Sequence, residues 1–178
     1  MRRLLSGGQR SQAMTEFALV APVLLLLSFG IMDFGRALYF YISAGAGARE
    51  GARIAVRASS SLPSDSDVTS AVGGHLPGIS ISAPPCVNGP IPAGAPPSGS
   101  AWIFITEPSP ATALPSANAP GGQPAAPAGA CNAVTPATGN QYLQVTVVYA
   151  YVPVTPLVAN VVGNRLLFRL GVIARTEY

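Results

Sequence analysis

The chain has 178 residues, of which 49% are hydrophobic and 10% are charged, and its formal net charge is +3. Typical soluble domains carry about 25% charged residues, so this composition disfavours both a highly soluble enzyme and a charge-rich disordered chain. Every basic residue is an Arg, and most of them lie in residues 1–57 around an apolar stretch. That distribution is typical of a membrane partner, and we expect no nucleic-acid binding.

A basic leader over residues 1–11 precedes a helix that we predict over residues 12–58. The first half of this helix contains the uncharged run Phe17–Met32, which reads FALVAPVLLLLSFGIM. A bilayer core takes about 20 helical residues, and the apolar character continues beyond Asp33 and Arg36, whose side chains can turn towards lipid headgroups. We therefore predict one membrane span, with the leader in the cytoplasm and the C-terminal part outside it.

The second half of the helix is rich in small residues at helical spacing. Such spacing lets another helix approach closely, and each Gly inside a helix costs about 1 kcal/mol relative to Ala. A solvated stalk would explain the neighbouring row of Arg49, Arg53 and Arg57, but it would not explain the glycines. We therefore predict a helix-packing face used in an assembly, made of Ala44, Gly47, Ala48, Gly51, Ala52 and Ala55.

Residues 59–178 are predicted to form a small extracytoplasmic domain that begins with a short helix. Ser64 is followed by Asp65 and Asp67, and then by apolar residues up to Leu76, which is the pattern of a capped helix. Two nearby aspartates also suit a metal ion, but charge stabilisation at a helix N-terminus explains them better.

Four segments of this domain have the composition of strands. The last two alternate most strongly and are predicted to pair antiparallel, with a helical turn at Leu157–Val162 in the connection between them. Together these elements define an α+β fold, in which a long transmembrane and stalk helix precedes a small, loop-rich antiparallel β domain. The predicted strands are Ile79–Ser82, Ala101–Thr106, Tyr142–Val152 and Leu166–Glu177.

A Pro-rich insert occupies residues 82–139 and contains a single charged residue, Glu107. Apart from the predicted strand inside it, such a composition predicts long loops rather than a regular core. Cys86 and Cys131 both lie in the insert. Outside the cytoplasm they could form a disulfide, and the alternative is two unpaired thiols; two cysteines alone do not make a zinc site.

The chemistry of catalysis is not evident in the sequence. His75 is the single histidine and lies in the turn-like segment GGHLPG. No serine lies in a nucleophile-elbow pattern, and no glycine-rich phosphate loop is present. We therefore expect a protein that is not an enzyme and that takes no cofactor and no metal.

Glu16 stands directly before the uncharged run, at the end of the segment SQAMTEF. With the short basic leader, this segment resembles the class III signal of type IV pilins and pseudopilins. The resemblance implies cleavage by a prepilin peptidase between Ser11 and Gln12, with Ser11 at a position where the family usually has Gly. It also implies that Glu16 sets subunit register by pairing with the new α-amino group of a neighbouring subunit, a role better attested for buried ion pairs than net stabilisation.

The resemblance extends over about residues 11–57 and becomes specific to the TadE-like family of pseudopilins. The matching elements are Glu16-Phe17, Pro22, the Leu run, the block Asp33–Arg36 and the block Ala48–Arg53. The resemblance implies a minor, non-enzymatic, membrane-inserted component of the Tad machinery, which assembles Flp pili for adhesion and surface attachment. The implied partners are other pilin-like subunits, Tad inner-membrane proteins and the prepilin peptidase.

Two other interpretations remain from the sequence. A secreted protein would be cut near Ala44-Gly45-Ala46, an A-x-A match, but this lies too far beyond the apolar run for ordinary signal peptidase geometry. A membrane-anchored extracytoplasmic binding module would use the helix as a tether only. In that case Glu16 and the small-residue rows should tolerate substitution.

Overall fold

A computed structural model describes residues 7–57, 63–83, 94–106 and 142–177. The elements confirm the predicted α+β class, with a long N-terminal helix before a small sheet domain. In chain order they are α1 (Gly7–Val56), α2 (Asp65–Gly74), β1 (Ser80–Ile81), β2 (Ser100–Thr106), β3 (Tyr142–Tyr151), α3 (Pro156–Val162) and β4 (Leu166–Arg175).

Helix α1 runs without interruption for 50 residues, through Pro22. At 1.5 Å per residue its length is about 75 Å, several times the width of the small domain's sheet. It begins five residues earlier than the prediction and ends at Val56, two residues before the predicted end. Its first half exposes apolar side chains on all sides, whereas its second half packs against the domain.

Helix α2 begins with the capping arrangement that the sequence indicates. The Ser64 hydroxyl accepts a hydrogen bond from the Asp67 amide, and the Asp67 carboxylate accepts one from the Ser64 amide at 2.8 Å. Hydrogen bonds from the Ser64 side chain and backbone hold the pKa of Asp67 below its ordinary value. Asp67 is therefore part of a helix cap, as expected from its position.

The four strands form one sheet in the order β1-β2-β3-β4. The predicted antiparallel pairing of the last two strands is confirmed, with a register from Tyr142 opposite Arg175 to Tyr151 opposite Leu166. β2 and β3 are also antiparallel, but β1 pairs with β2 in parallel. The sheet is therefore mixed rather than wholly antiparallel, and the long segment between β1 and β2 provides the crossover that a parallel pair requires.

The small residues of α1 lie in the interior of the chain's own domain. A Cβ placed on Gly51 would lie 2.5 Å from Val72 Cγ2 and 3.2 Å from Val145 Cγ1, and one on Gly47 would lie 3.1 Å from the Val72 carbonyl oxygen. Ala44, Ala48, Ala52 and Ala55 are all buried in the same core.

The helix that approaches these residues closely is α2 of the same chain, and β3 packs beside it. The expectation that this face packs against another subunit is not needed to explain its glycines. The Arg row faces solvent, and Arg53 makes two hydrogen bonds to the Glu50 carboxylate, at 2.5 and 2.8 Å. Cys86 and Cys131 lie outside the described residues.

Candidate functional site

A single buried stripe runs along the second half of α1, and it begins at Asp33. Ala37, Phe40 and Ala44 follow at steps of three or four residues, the spacing that keeps side chains on one helix face. Asp33 is only 3% exposed, although it lies on a helix whose neighbouring residues face outwards. A buried carboxylate on an apolar stripe is costly unless it is hydrogen-bonded.

The Asp33 carboxylate accepts hydrogen bonds from the loop that follows β3. Val154 N donates to Asp33 Oδ1 at 3.0 Å, and Thr155 N donates to Asp33 Oδ2 at 2.9 Å. The Thr155 hydroxyl also donates to Oδ2, and the Tyr151 hydroxyl donates to the Asp33 carbonyl oxygen at 2.9 Å. We call this group of Asp33, Tyr151, Val154 and Thr155 the Asp33 junction.

The electrostatics of the Asp33 junction favour an ionised carboxylate. Arg36 lies one turn further along α1, with its Nη1 3.8 Å from Asp33 Oδ1. Burial raises the pKa of the Tyr151 phenol, and the negative charge of Asp33 raises it further. Tyr151 therefore remains a protonated donor across the ordinary pH range, because both causes oppose loss of its proton.

An aromatic layer lies above the Asp33 junction and ties α1 to the sheet. The Phe40 ring centroid lies 5.3 Å from that of Tyr149 and 6.1 Å from that of Tyr151. Tyr151 also stacks on Phe168 of β4, with a centroid distance of 5.9 Å. Offset and edge-on rings at these distances attract one another beyond simple burial, so these contacts hold the helix against both long strands.

Glu16 lies at the opposite end of the uncharged run from Asp33. It is exposed and accepts a hydrogen bond from the Gln12 side chain, from Nε2 to Oε1 at 3.3 Å. The rise of an α-helix places the two acidic residues about 26 Å apart along α1, close to the thickness of a bilayer core. The Ser11–Gln12 peptide bond, the predicted processing site, lies inside α1.

The sequence did not identify the role of Asp33. It was interpreted as a residue that turns towards headgroups, but its carboxylate points into the domain. The sequence does contain a signal for the burial of Asp33. Steps of four, three and four residues back from Ala44 reach Phe40, Ala37 and Asp33, so all four residues lie on the same face of α1.

Groups suited to metal chemistry are not clustered in the described ranges. Within them, no group of three or more His, Cys, Asp or Glu residues is close enough to hold a metal ion. The hydrogen bonds of the Asp33 junction join the domain to α1. Ala44 and Gly45 of the A-x-A segment are buried in this same unit.

Together these features define a class of protein. In the described part of the chain, one helix, Gln12–Val56, is long and apolar enough to cross a membrane. This fits a single-pass membrane protein whose spanning helix continues without a break into the core of a small α+β domain.

The family model described as TadE-like protein matches residues 12–53. This confirms the resemblance over that segment, which contains Glu16, Asp33 and most of the small-residue rows. The match ends within α1, so it includes no part of α2 or of the sheet. No curated protein and no solved structure matches the chain.

Proposed function

We propose that this protein is a minor pilin-like component of a Tad/Flp pilus assembly system, with a structural role that supports adhesion and surface attachment. The observation that supports the proposal is the TadE-like match, which coincides with the helix from Gln12 through the Asp33 junction. On this proposal the leader faces the cytoplasm, the domain lies outside it, and the protein catalyses no reaction.

The proposed assembly step depends on Glu16. Cleavage before Gln12 would create an α-amino group at the start of an apolar helix, where an unpaired cation is costly. Glu16 is exposed on α1 and therefore available to a neighbouring subunit. An ion pair between the two groups would fix how far one helix slides along the next, and we assign it to register rather than to stability.

We expect the protein recovered from membranes of a strain with its prepilin peptidase to begin at Gln12. The measurement is the intact mass together with the N-terminal residue, compared between strains with and without the peptidase. Ser11→Gly restores the residue that pilins usually have before the cut, and it should be processed at least as completely. A full-length chain in both the native and the Ser11→Gly protein would contradict processing at this bond.

Glu16→Ala is expected to lower surface pilus output about ten-fold or more while leaving membrane insertion intact. The substitution would leave the α-amino group of a neighbouring subunit as an unpaired buried cation, which costs more than the ~1.4 kcal/mol of a tenfold change in equilibrium. Sheared pili would be quantified against membrane-fraction protein. Glu50→Gln removes a carboxylate from the same helix, where it pairs with Arg53, and should leave pilus output near normal. Normal output from Glu16→Ala would instead favour a simple membrane tether.

A further inference from the structure

The segment around α3 exposes apolar side chains and contains no charge from Val152 to Asn164. Val161 is 79% exposed and Val154 is 66% exposed. Val152 and Val162 are exposed as well. We call these four residues the valine surface. Single exposed valines are common, but four within one short uncharged segment suit an apolar environment.

The start of α3 and the loop before it, including Val154, lie beside the uncharged run of α1. A cavity of about 400 Å³ separates α3 from α1. Leu26, Phe29 and Met32 line it from α1, and Val154 and Val158 line it from the α3 side. Because Leu26 precedes Asp33 by seven residues, α3 overlaps the uncharged run by about 10 Å along the helix axis.

The Asp33 junction holds α3 at this depth. Two backbone amides immediately before α3, those of Val154 and Thr155, are bonded to the Asp33 carboxylate. Two exposed cations flank this region, Arg36 on α1 beside Asp33 and Arg165 just after α3, and both are suited to headgroup phosphates. If α1 spans the bilayer with its uncharged run in the acyl core, the start of α3 lies near the boundary between headgroups and acyl chains.

We propose that α3 and its flanks form a second membrane contact, with the valine surface buried in the interfacial region of the lipid bilayer. Interfacial elements of this kind sink about 5–10 Å into the headgroup and acyl boundary, which agrees with the overlap along α1. The inference rests on the membrane insertion of α1, which is part of the proposed function. It adds that the domain lies on the bilayer surface, in a fixed orientation, and does not stand away from it.

The test places a tryptophan on the valine surface of the full chain, reconstituted in phosphatidylcholine vesicles with or without brominated acyl chains. Val161→Trp is compared with Ser70→Trp, an exposed position on α2, and with Leu25→Trp in the uncharged run. The native Trp102 is common to all variants, and its signal is subtracted. Val154→Trp provides a second position in case Val161→Trp does not fold.

The added fluorescence of Val161→Trp should be quenched by bromolipid roughly two-fold or more relative to Ser70→Trp, as expected for interfacial burial. Quenching equal to that of Ser70→Trp would overturn the proposal. A blue-shifted emission without bromolipid quenching would also overturn it, because the surface would then be covered by protein, such as a second copy of the chain. If Leu25→Trp alone is quenched, the membrane span stands and the second contact is wrong; if Leu25→Trp is not quenched, both fail.

Discussion

Asp33→Ala is expected to lower the free energy of unfolding of the domain by about 3 kcal/mol, because it removes the acceptor of several buried donors at once. The amides of Val154 and Thr155 would lose their partner while remaining in a partly buried loop. The measurement is denaturant unfolding in detergent micelles, followed by the fluorescence of Trp102, the single tryptophan in the sheet.

Two substitutions at Thr155 separate the hydroxyl contribution from the rest of the Asp33 junction. Thr155→Val removes the hydroxyl that donates to Asp33 but keeps the backbone amide. It should lower the free energy of unfolding by about 1 kcal/mol. Thr155→Ser keeps the hydroxyl and should be close to the native protein. Ordinary surface substitutions change the free energy of unfolding by no more than about 0.5 kcal/mol. A change within that range for Asp33→Ala would show that the Asp33 junction does not stabilise the domain.

Gly51→Ala is expected to destabilise the domain by about 2 kcal/mol, although Ala is the better helix former by about 1 kcal/mol. The reason is the 2.5 Å separation between the added Cβ and Val72 Cγ2 across the α1–α2 contact. Val145 Cγ1, at 3.2 Å, limits relaxation towards the sheet. The same unfolding measurement gives the loss of free energy.

Gly35→Ala is the matched control, because a Cβ at Gly35 would meet no atom within 4 Å. It should be neutral or stabilising by up to about 1 kcal/mol, from helix propensity alone. In the double variant Gly51→Ala with Val72→Ala, the cost should be less than the sum of the two single costs, since the colliding methyl is gone. If the two losses of unfolding free energy simply add, the added Cβ at position 51 does not clash with Val72, and the prediction is wrong.

Much of the fold followed from local chemistry. The start of α2 could be predicted from Ser64 and Asp67, because the capping interactions involve residues only three apart in the sequence. The alternating sequence patterns of β3 and β4 predicted both strands and their antiparallel pairing, since each alternating segment needs a partner that buries one of its faces. The parallel pairing of β1 was missed because it involves two residues, Ser80 and Ile81, whose partners lie across a long connection.

The small-residue rows illustrate what a sequence leaves open. Their spacing indicates that another helix can approach closely, and in the structure Gly47 and Gly51 lie against α2 of the same chain. Spacing says nothing about which helix makes the contact, and nothing in the ten residues of α2 marks it as the partner. The partners of Asp33 could not be predicted for a related reason. The donors to its carboxylate are the backbone amides of residues 154 and 155 and the Thr155 hydroxyl, more than 120 residues further along the chain, and nothing in the sequence relates them to Asp33.

The unbroken path of α1 from Glu16 into the domain core has a mechanical consequence. An α-helix rises about 1.5 Å and turns about 100° per residue. If α1 moved by one residue along its own helical screw against neighbouring helices, the domain would therefore advance by about 1.5 Å and rotate by about 100° around the helix axis. The aromatic layer and the Asp33 junction hold the domain to the second half of α1, so the domain would turn with the helix. In the proposed assembly, axial position and azimuth would therefore be coupled, and the depth of the helix would determine which side of the sheet faces outwards.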